Sequence, residues 1–339
     1  DVYKRQADID LSRTSRAWES IGQATAPFNG TFDGAGHTIS GLTADGRGNS
    51  HTGLFGYNGP SALIKNLTLK DFRITTNGNW LAPAVADNDG IIRNVTVTGL
   101  QAISNGDSPG GITARSTGTV EDCTVSGSIG GIGNVAGIVG YNYGKIYRCS
   151  ADASLERGGH LDDLYRDCAG IAGTSTTQEG YTAEIADCIF RGTINESSGY
   201  GLAAGLAGKL NNSTMTRCIN TGAIMAKRND PDYDNYTGGL EAWISSSTLS
   251  DCMNAGIIMK TSDRDLSSDA VGGLIGYVRV AYSSTGGGPM TMNGTSKVER
   301  CFNTAQVLSS SSEAHKGIWG NTFFYQGQNP IEATFTDCW

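Results

Sequence analysis

Apolar positions along this chain fall into two short blocks that recur, separated by turn residues, from one end to the other. The first is a Gly-apolar-x-small tetrad: Gly53-Leu-Phe-Gly56, Gly111-Ile-Thr-Ala114, Gly137-Ile-Val-Gly140, Gly170-Ile-Ala-Gly173, Gly205-Leu-Ala-Gly208, Gly239-Leu-Glu-Ala242, Gly273-Leu-Ile-Gly276 and Gly317-Ile-Trp-Gly320. A degenerate copy, Pro83-Ala-Val-Ala86, fills the gap in the series, and the copies lie 26 to 44 residues apart. The second block follows each tetrad, as in Ile64-Lys-Asn-Leu-Thr-Leu69, Val120-Glu-Asp-Cys-Thr-Val125 and Val298-Glu-Arg-Cys301. Each block alternates over a few residues, as a strand does. The insertions (156–167, 227–236 and 278–297) sit between blocks, where loops leave a stack.

One such unit cannot bury its own apolar face, but a stack of units makes a continuous core. The pattern predicts an all-β fold, a right-handed parallel β-helix of about ten coils, since parallel crossovers are overwhelmingly right-handed. At about 4.8 Å per coil the rod would be about 50 Å long. We read 1–339 as one elongated repeat domain with 7–50 as its opening coil. The start at DVYKRQ and the stop inside a repeat read as cuts at both ends. A leucine-rich repeat lacks its consensus here, and a β-propeller lacks its Trp-Asp signature and regular blade length.

Composition agrees with many short strands: 48 glycines, 7 prolines and 17% charged residues. The formal charge of −8 argues against nucleic acid, which needs clustered Lys and Arg. No apolar run is long enough for a membrane-spanning helix.

Seven of the eight cysteines share one repeat position: Cys123, Cys149, Cys188, Cys218, Cys252, Cys301 and Cys338. Leu42, Leu67 and Val95 fill it in earlier coils. This predicts a buried ladder of free thiols rather than disulfides, because parallel Cα–Cβ vectors fit a bridge poorly. Cys168 lies outside the ladder. The preceding position runs Asp122, Arg148, Asp187, Arg217, Asp251, Arg300 and Asp337, so opposite charges should pair between coils. That alternation makes these acids register-setting rather than catalytic.

No motif requires a cofactor. Acids gather in loops before successive tetrads (Asp162, Asp163, Asp167; Asp230, Asp232, Asp234; Asp263, Asp265, Asp269) and read first as a solvated loop edge, with calcium at Asp230, Asp232 and Asp234 as the metal alternative. Alternation from the tetrad Leu or Ile places Phe55, Tyr57, Val139, Tyr141, Trp243, Ile275, Tyr277 and Trp319 on the outside of one sheet. Of these, Tyr57, Tyr141, Trp243, Tyr277 and Trp319 are the candidate ligand-binding residues, suited to sugar stacking or protein docking. The residue after the cysteine position changes from Thr68, Thr96, Thr124 and Ser150 to Ile189, Ile219, Met253, Phe302 and Trp339. Strict alternation exposes that stripe; a parity change would bury Ile219, Met253 and Phe302 and leave Asn220, Asn254 and Asn303 at a turn. The buried arrangement is favoured because an exposed stripe is costly in water.

The opening Trp18-Glu-Ser-Ile-Gly22 and Phe28-Asn-Gly-Thr-Phe-Asp-Gly-Ala-Gly-His-Thr-Ile39, followed by the tetrads, resembles the GLUG-motif repeat proteins of bacterial surfaces. Such repeats also occur as non-catalytic stretches in IgA peptidases and adhesin-like proteins. The resemblance implies an extracellular, secreted or surface-anchored bacterial repeat segment, while a glycan or a surface protein as partner is read from the outward rings. The H-E-x-x-H zinc motif of IgA peptidases is absent from this sequence, so that activity does not transfer. The competing function is a glycan-cleaving β-helix enzyme, which needs two carboxylates converging on one groove. The Asp33-Gly-Ala-Gly36-His37 segment reads as a structural turn rather than part of such a site.

Overall fold

The computed structural model describes residues 2–4, 7–13, 18–46, 50–158, 166–199, 201–228, 235–262, 270–279, 282–283, 291–292, 295–309, 315–316, 319–322 and 333–339. Among them every regular element is a strand, and the strands stack in parallel as a β-helix. No helix among them is long and apolar enough to cross a membrane.

The tetrads build a nine-stranded sheet running from Phe55–Asn58 through Val139–Asn142 and Glu241–Ser245 to Trp319–Thr322. Every pairing in it is parallel. Nine such rungs agree with the expected number of coils. Among the described residues the one antiparallel strand pair, Tyr282–Ser283 with Thr291–Met292, belongs to the long 278–297 insertion. Short strands just before the tetrads form a second wall: three from His51–Thr52 to Ser108–Pro109, then six from Val135–Ala136 to His315–Lys316. The second blocks form the largest sheet, opposite the tetrads.

Within that largest sheet the chain turns a corner once per coil, and the corner residue is left-handed. Asn66, Asn94, Asp122, Arg148, Asp187, Arg217, Asp251, Arg300 and Asp337 all have φ between 50° and 58°. Asn and Asp tolerate this region best. The expected charge pairs close there: Arg148 reaches Asp122, Arg217 reaches Asp187, and Arg300 reaches Asp251, each with a 2.6 Å Nε–Oδ1 contact. The Asp33 turn is structural as expected, with Ala35 and Gly36 at φ 52° and 82° and the Asp33 carboxylate accepting the Ala35 amide.

The cysteine ladder stands as predicted. All eight thiols are free, and all are buried except the half-buried Cys338. Each Sγ leans on backbone: Cys218 Sγ donates to Thr216 O at 3.2 Å, and the Cys188 amide donates to Cys218 Sγ at 3.4 Å. Cys168 is buried one wall away, paired with Val135 and Ala203.

Two expectations about direction need correcting. Phe55, Val139 and Ile275 are fully buried. The chain bends inside the tetrad, so that Leu54 and Phe55, two successive residues, both face the core. In the coils from Ile112 to Glu241 one carbonyl serves both amides at this bend: Ile138 O accepts from Ile112 N and Thr113 N. Trp319 pairs with Ile275, so its backbone register belongs to the Phe55 column and not to the Tyr57 column. The stripe after the cysteines keeps strict alternation. Asn220 and Asn254 are buried, while Ile219 and Met253 are half-buried on the outside and Phe302 is 42% exposed. Inside, each amide caps its own coil and reaches the next: Asn220 Oδ1 accepts from Gly222 N at 2.9 Å, and Asn220 Nδ2 donates to Asn254 Oδ1 at 2.8 Å. Satisfying buried backbone in this way outweighs hiding the apolar side chains.

Candidate functional site

Where the wall before the tetrads meets the tetrad sheet, the outer surface folds into a concave elbow. Small residues make that bend tight. The last tetrad residue (Gly56, Ala86, Ala114, Gly140, Gly173, Gly208, Ala242, Gly276) forms its floor. A Cβ added at Gly208 would lie 2.4 Å from the Asp167 Cβ, and one at Gly173 would lie 3.1 Å from the Asn134 Cβ. At these two coils even Ala would clash, and Ala86, Ala114 and Ala242 are the largest residues at this position in the other coils.

Two columns of larger side chains rise from this floor. On the tetrad sheet, consecutive coils contribute Tyr57, Asp87, Arg115, Tyr141, Thr174, Lys209, Trp243 and Tyr277. Facing them are His51, Trp80 and Ser108, and farther along Asp167, Leu202, Tyr236 and Ala270. Four of the five predicted aromatic residues, Tyr57, Tyr141, Trp243 and Tyr277, thus share one column. Trp319 falls outside it by register. Asp230, Asp232 and Asp234, the predicted calcium residues, lie outside the described residues. Of the nine loop acids, Asp167 alone is described.

At the N-terminal end a cleft of about 360 Å³ opens against Glu19, Ser20, Gln23, Ser50, His51 and Tyr57. The Tyr57 Oη and Ser50 Oγ each lie 2.7 Å from His51 Nδ1, and the His51 and Tyr57 rings are 4.1 Å apart. Burial pushes His51 down to about 4, with Arg115 adding to the effect, so the ring is neutral at pH 7. Deeper in, Arg115 reaches Asp87 at 2.7 Å and Asp89 at 3.7 Å, and lies over the Tyr143 ring. Burial raises the Asp87 pKa, and the Arg115 charge opposes the rise. Trp80 meets Tyr141 edge-on at 5.5 Å.

Arg166 joins the walls by donating to Asp107 Oδ1 at 2.6 Å and Tyr141 Oη at 3.1 Å. Beyond it, Asp167 is fully buried, accepts from Thr174 Oγ1 at 2.6 Å and lies 3.4 Å from Lys209 Nζ. Burial raises the pKa of both Asp107 and Asp167, against the neighbouring cations. The last coils turn apolar: Tyr236 stacks on Tyr277 at 4.2 Å, and Trp243 meets Tyr277 edge-on at 5.6 Å. With Leu202 and Ala270 they form a small cluster separate from the main core. Tyr277 is spent on this packing, at 8% exposure.

Sequence reading found the aromatic residues but missed His51, Trp80, Asp87, Arg115, Asp107 and Arg166. Reading position +3 after the tetrad's apolar residue down the coils would have shown Asp87 and Arg115 between Tyr57 and Tyr141. The facing wall has no tetrad of its own to reveal it. Among the described residues no group of three or more His, Cys, Asp or Glu converges as a metal site.

No family model matches the chain. Over 100 residues, 27% of this chain, it is 39% identical to a halomucin of Haloquadratum walsbyi, covering 1% of that protein. Over 94 residues, 25% of this chain, it is 34% identical to a putative Gly-rich membrane protein of Evansella cellulosilytica, covering 10% of it. The chain therefore spans a small part of either relative. An IgA1 protease structure aligns with 99% of this chain and 20% of its own, at 14% identity and a TM-score of 0.38.

Proposed function

We propose that this chain is a non-catalytic repeat segment of an extracellular, GLUG-type surface protein, and that its elbow binds glycan. The observation that carries this reading is the open cleft where Tyr57 and His51 meet, continuous with a column of rings and paired charges. Aromatic faces beside fixed hydrogen-bonding groups suit sugar rings, which present an apolar face and a polar rim. The local likeness to a protein described as a membrane protein supports a place at the cell envelope.

Binding is favoured over cleavage by the charge pattern. Asp87 and Asp89 sit within ion-pair reach of Arg115, Asp107 of Arg166, and Asp167 of Lys209. A hydrolase needs one acid to deliver a proton and a second to act as base or nucleophile. Acids each held by a cation serve better as fixed acceptors. A glycan-array screen of the whole chain, run beside an assay for new reducing ends, tests the proposal. Saturable binding without release of sugar supports it; release of reducing ends, or no binding across the array, overturns it.

A further inference from the structure

The outer face of the largest sheet changes chemistry partway along the rod. In the column after the cysteines, Thr96, Thr124 and Ser150 give way to Ile189, Ile219, Met253 and Phe302. A second outward column, six residues farther along each coil (seven in the bulged Thr96 coil), runs Ile103, Gly130, Glu156 and Asn195 and then Met225, Met259 and Leu308. Met225, Ile257, Met259, Phe302 and Leu308 are each 41–50% exposed. The fold does not demand apolar residues here, because the same positions are mostly polar in the earlier coils. Several large apolar groups clustered on one face mark an interaction surface rather than scattered exposure.

We infer that this face packs against the same face of a second copy of the chain. Four coils by about eight residues, including the exposed Arg191 and Asn195 of the Ile189 coil, span about 19 Å by about 25 Å. Two such faces cover roughly 1,000 Å², about the lower bound for a specific interface. One border of the patch is formed by the closed Asp187–Arg217 and Asp251–Arg300 pairs, so that border brings no net charge to a second copy. A twofold axis along the rod lays the Ile219–Met253–Phe302 column of one copy over the Met225–Met259–Leu308 column of the other. Coil heights then match, Ile257 lies near the axis, and the interface is self-complementary, as a twofold contact requires. Methionine suits such a contact, since its flexible side chain fills an irregular facing surface.

Sedimentation equilibrium on the whole chain tests this directly. A dimer is expected at about 10 µM, a concentration typical for a modest interface. Ile257→Glu should weaken dimerisation at least about tenfold, the effect of placing a charge in a desolvated contact, with circular dichroism and melting unchanged. If that variant misfolds, Leu308→Glu, at a position 50% exposed, carries the same test. Thr124→Glu, on the polar part of the same face, should leave the dimer intact. A wild-type monomer at about 100 µM, or association that survives both apolar-to-Glu changes, overturns the inference; survival would place the contact at the rod ends or the elbow.

Discussion

Arg217 donates two hydrogen bonds to Asp187 on the preceding coil, Nε to Oδ1 at 2.6 Å and Nη2 to Oδ2 at 2.8 Å, while both residues hold a left-handed backbone. The ion pair is exposed to water and screened, so it does little for stability. The backbone is what the position demands. Arg217→Asn should therefore keep the melting temperature, while Arg217→Val, a β-branched residue forced to positive φ, should lower it by roughly 4 °C or more. Equal losses in the two variants would assign the stability to the charge pair instead.

Glu241 occupies the buried column of Phe55, Val139 and Ile275, and neither carboxylate oxygen has a hydrogen-bond partner. Burial raises its pKa well above the ordinary range. In the unfolded chain it ionises near the usual value of about 4.3. Stability from this group is thus complete at low pH and declines as pH rises from there toward the folded pKa. Glu241→Val, the residue found at Val85 and Val139, should raise the melting temperature at pH 7 and change it little at pH 4. Calorimetry at the two pH values decides; an equal effect at both would exclude a buried acid.

Arg157 and Glu196 form an ion pair at 2.9 Å with both side chains fully buried on adjacent coils. Removing Glu196 takes this carboxylate away from a guanidinium that stays buried. Glu196→Leu should destabilise by about 3–5 kcal/mol, and the double variant Arg157→Met, Glu196→Leu should recover most of that loss. Urea denaturation of the two variants and the wild type measures the difference. A double variant as unstable as the single would show that the pair itself is needed.

Much of this fold could be read from spacing. The tetrads fix which strands pair, the shared position of seven cysteines fixes a buried column, and alternating Asp and Arg one residue earlier fix the interstrand pairs. Alternation failed where the backbone departs from a plain strand. The bend within the tetrad turns Phe55 and Glu241 inward, and no periodicity marks a bend. Arg157, Glu196 and Lys260 are buried although single charges in a sequence read as solvated. The elbow was half legible: its rings stand in one repeat column, but His51 and Trp80 come from a wall recognisable only once the coils are stacked.

The thiol ladder makes a chemical prediction. Ellman titration of native protein should find the buried thiols unreactive, because burial shields them and, at Cys149, Cys188, Cys218 and Cys252, raises the pKa. In denaturant without reductant all eight should react. A count of two, one column thiol and Cys168, would mean that the column is bridged.

Glycan binding in the elbow is tested most directly by calorimetric titration of the best array ligand into wild type, Tyr57→Ala and Thr124→Glu. The Tyr57 ring faces the cleft, whereas Thr124 lies on a different sheet. Tyr57→Ala should weaken binding about tenfold or more, the worth of one stacked ring, and Thr124→Glu should leave it unchanged. Equal affinity for wild type and Tyr57→Ala would contradict the assignment of the elbow as the binding site.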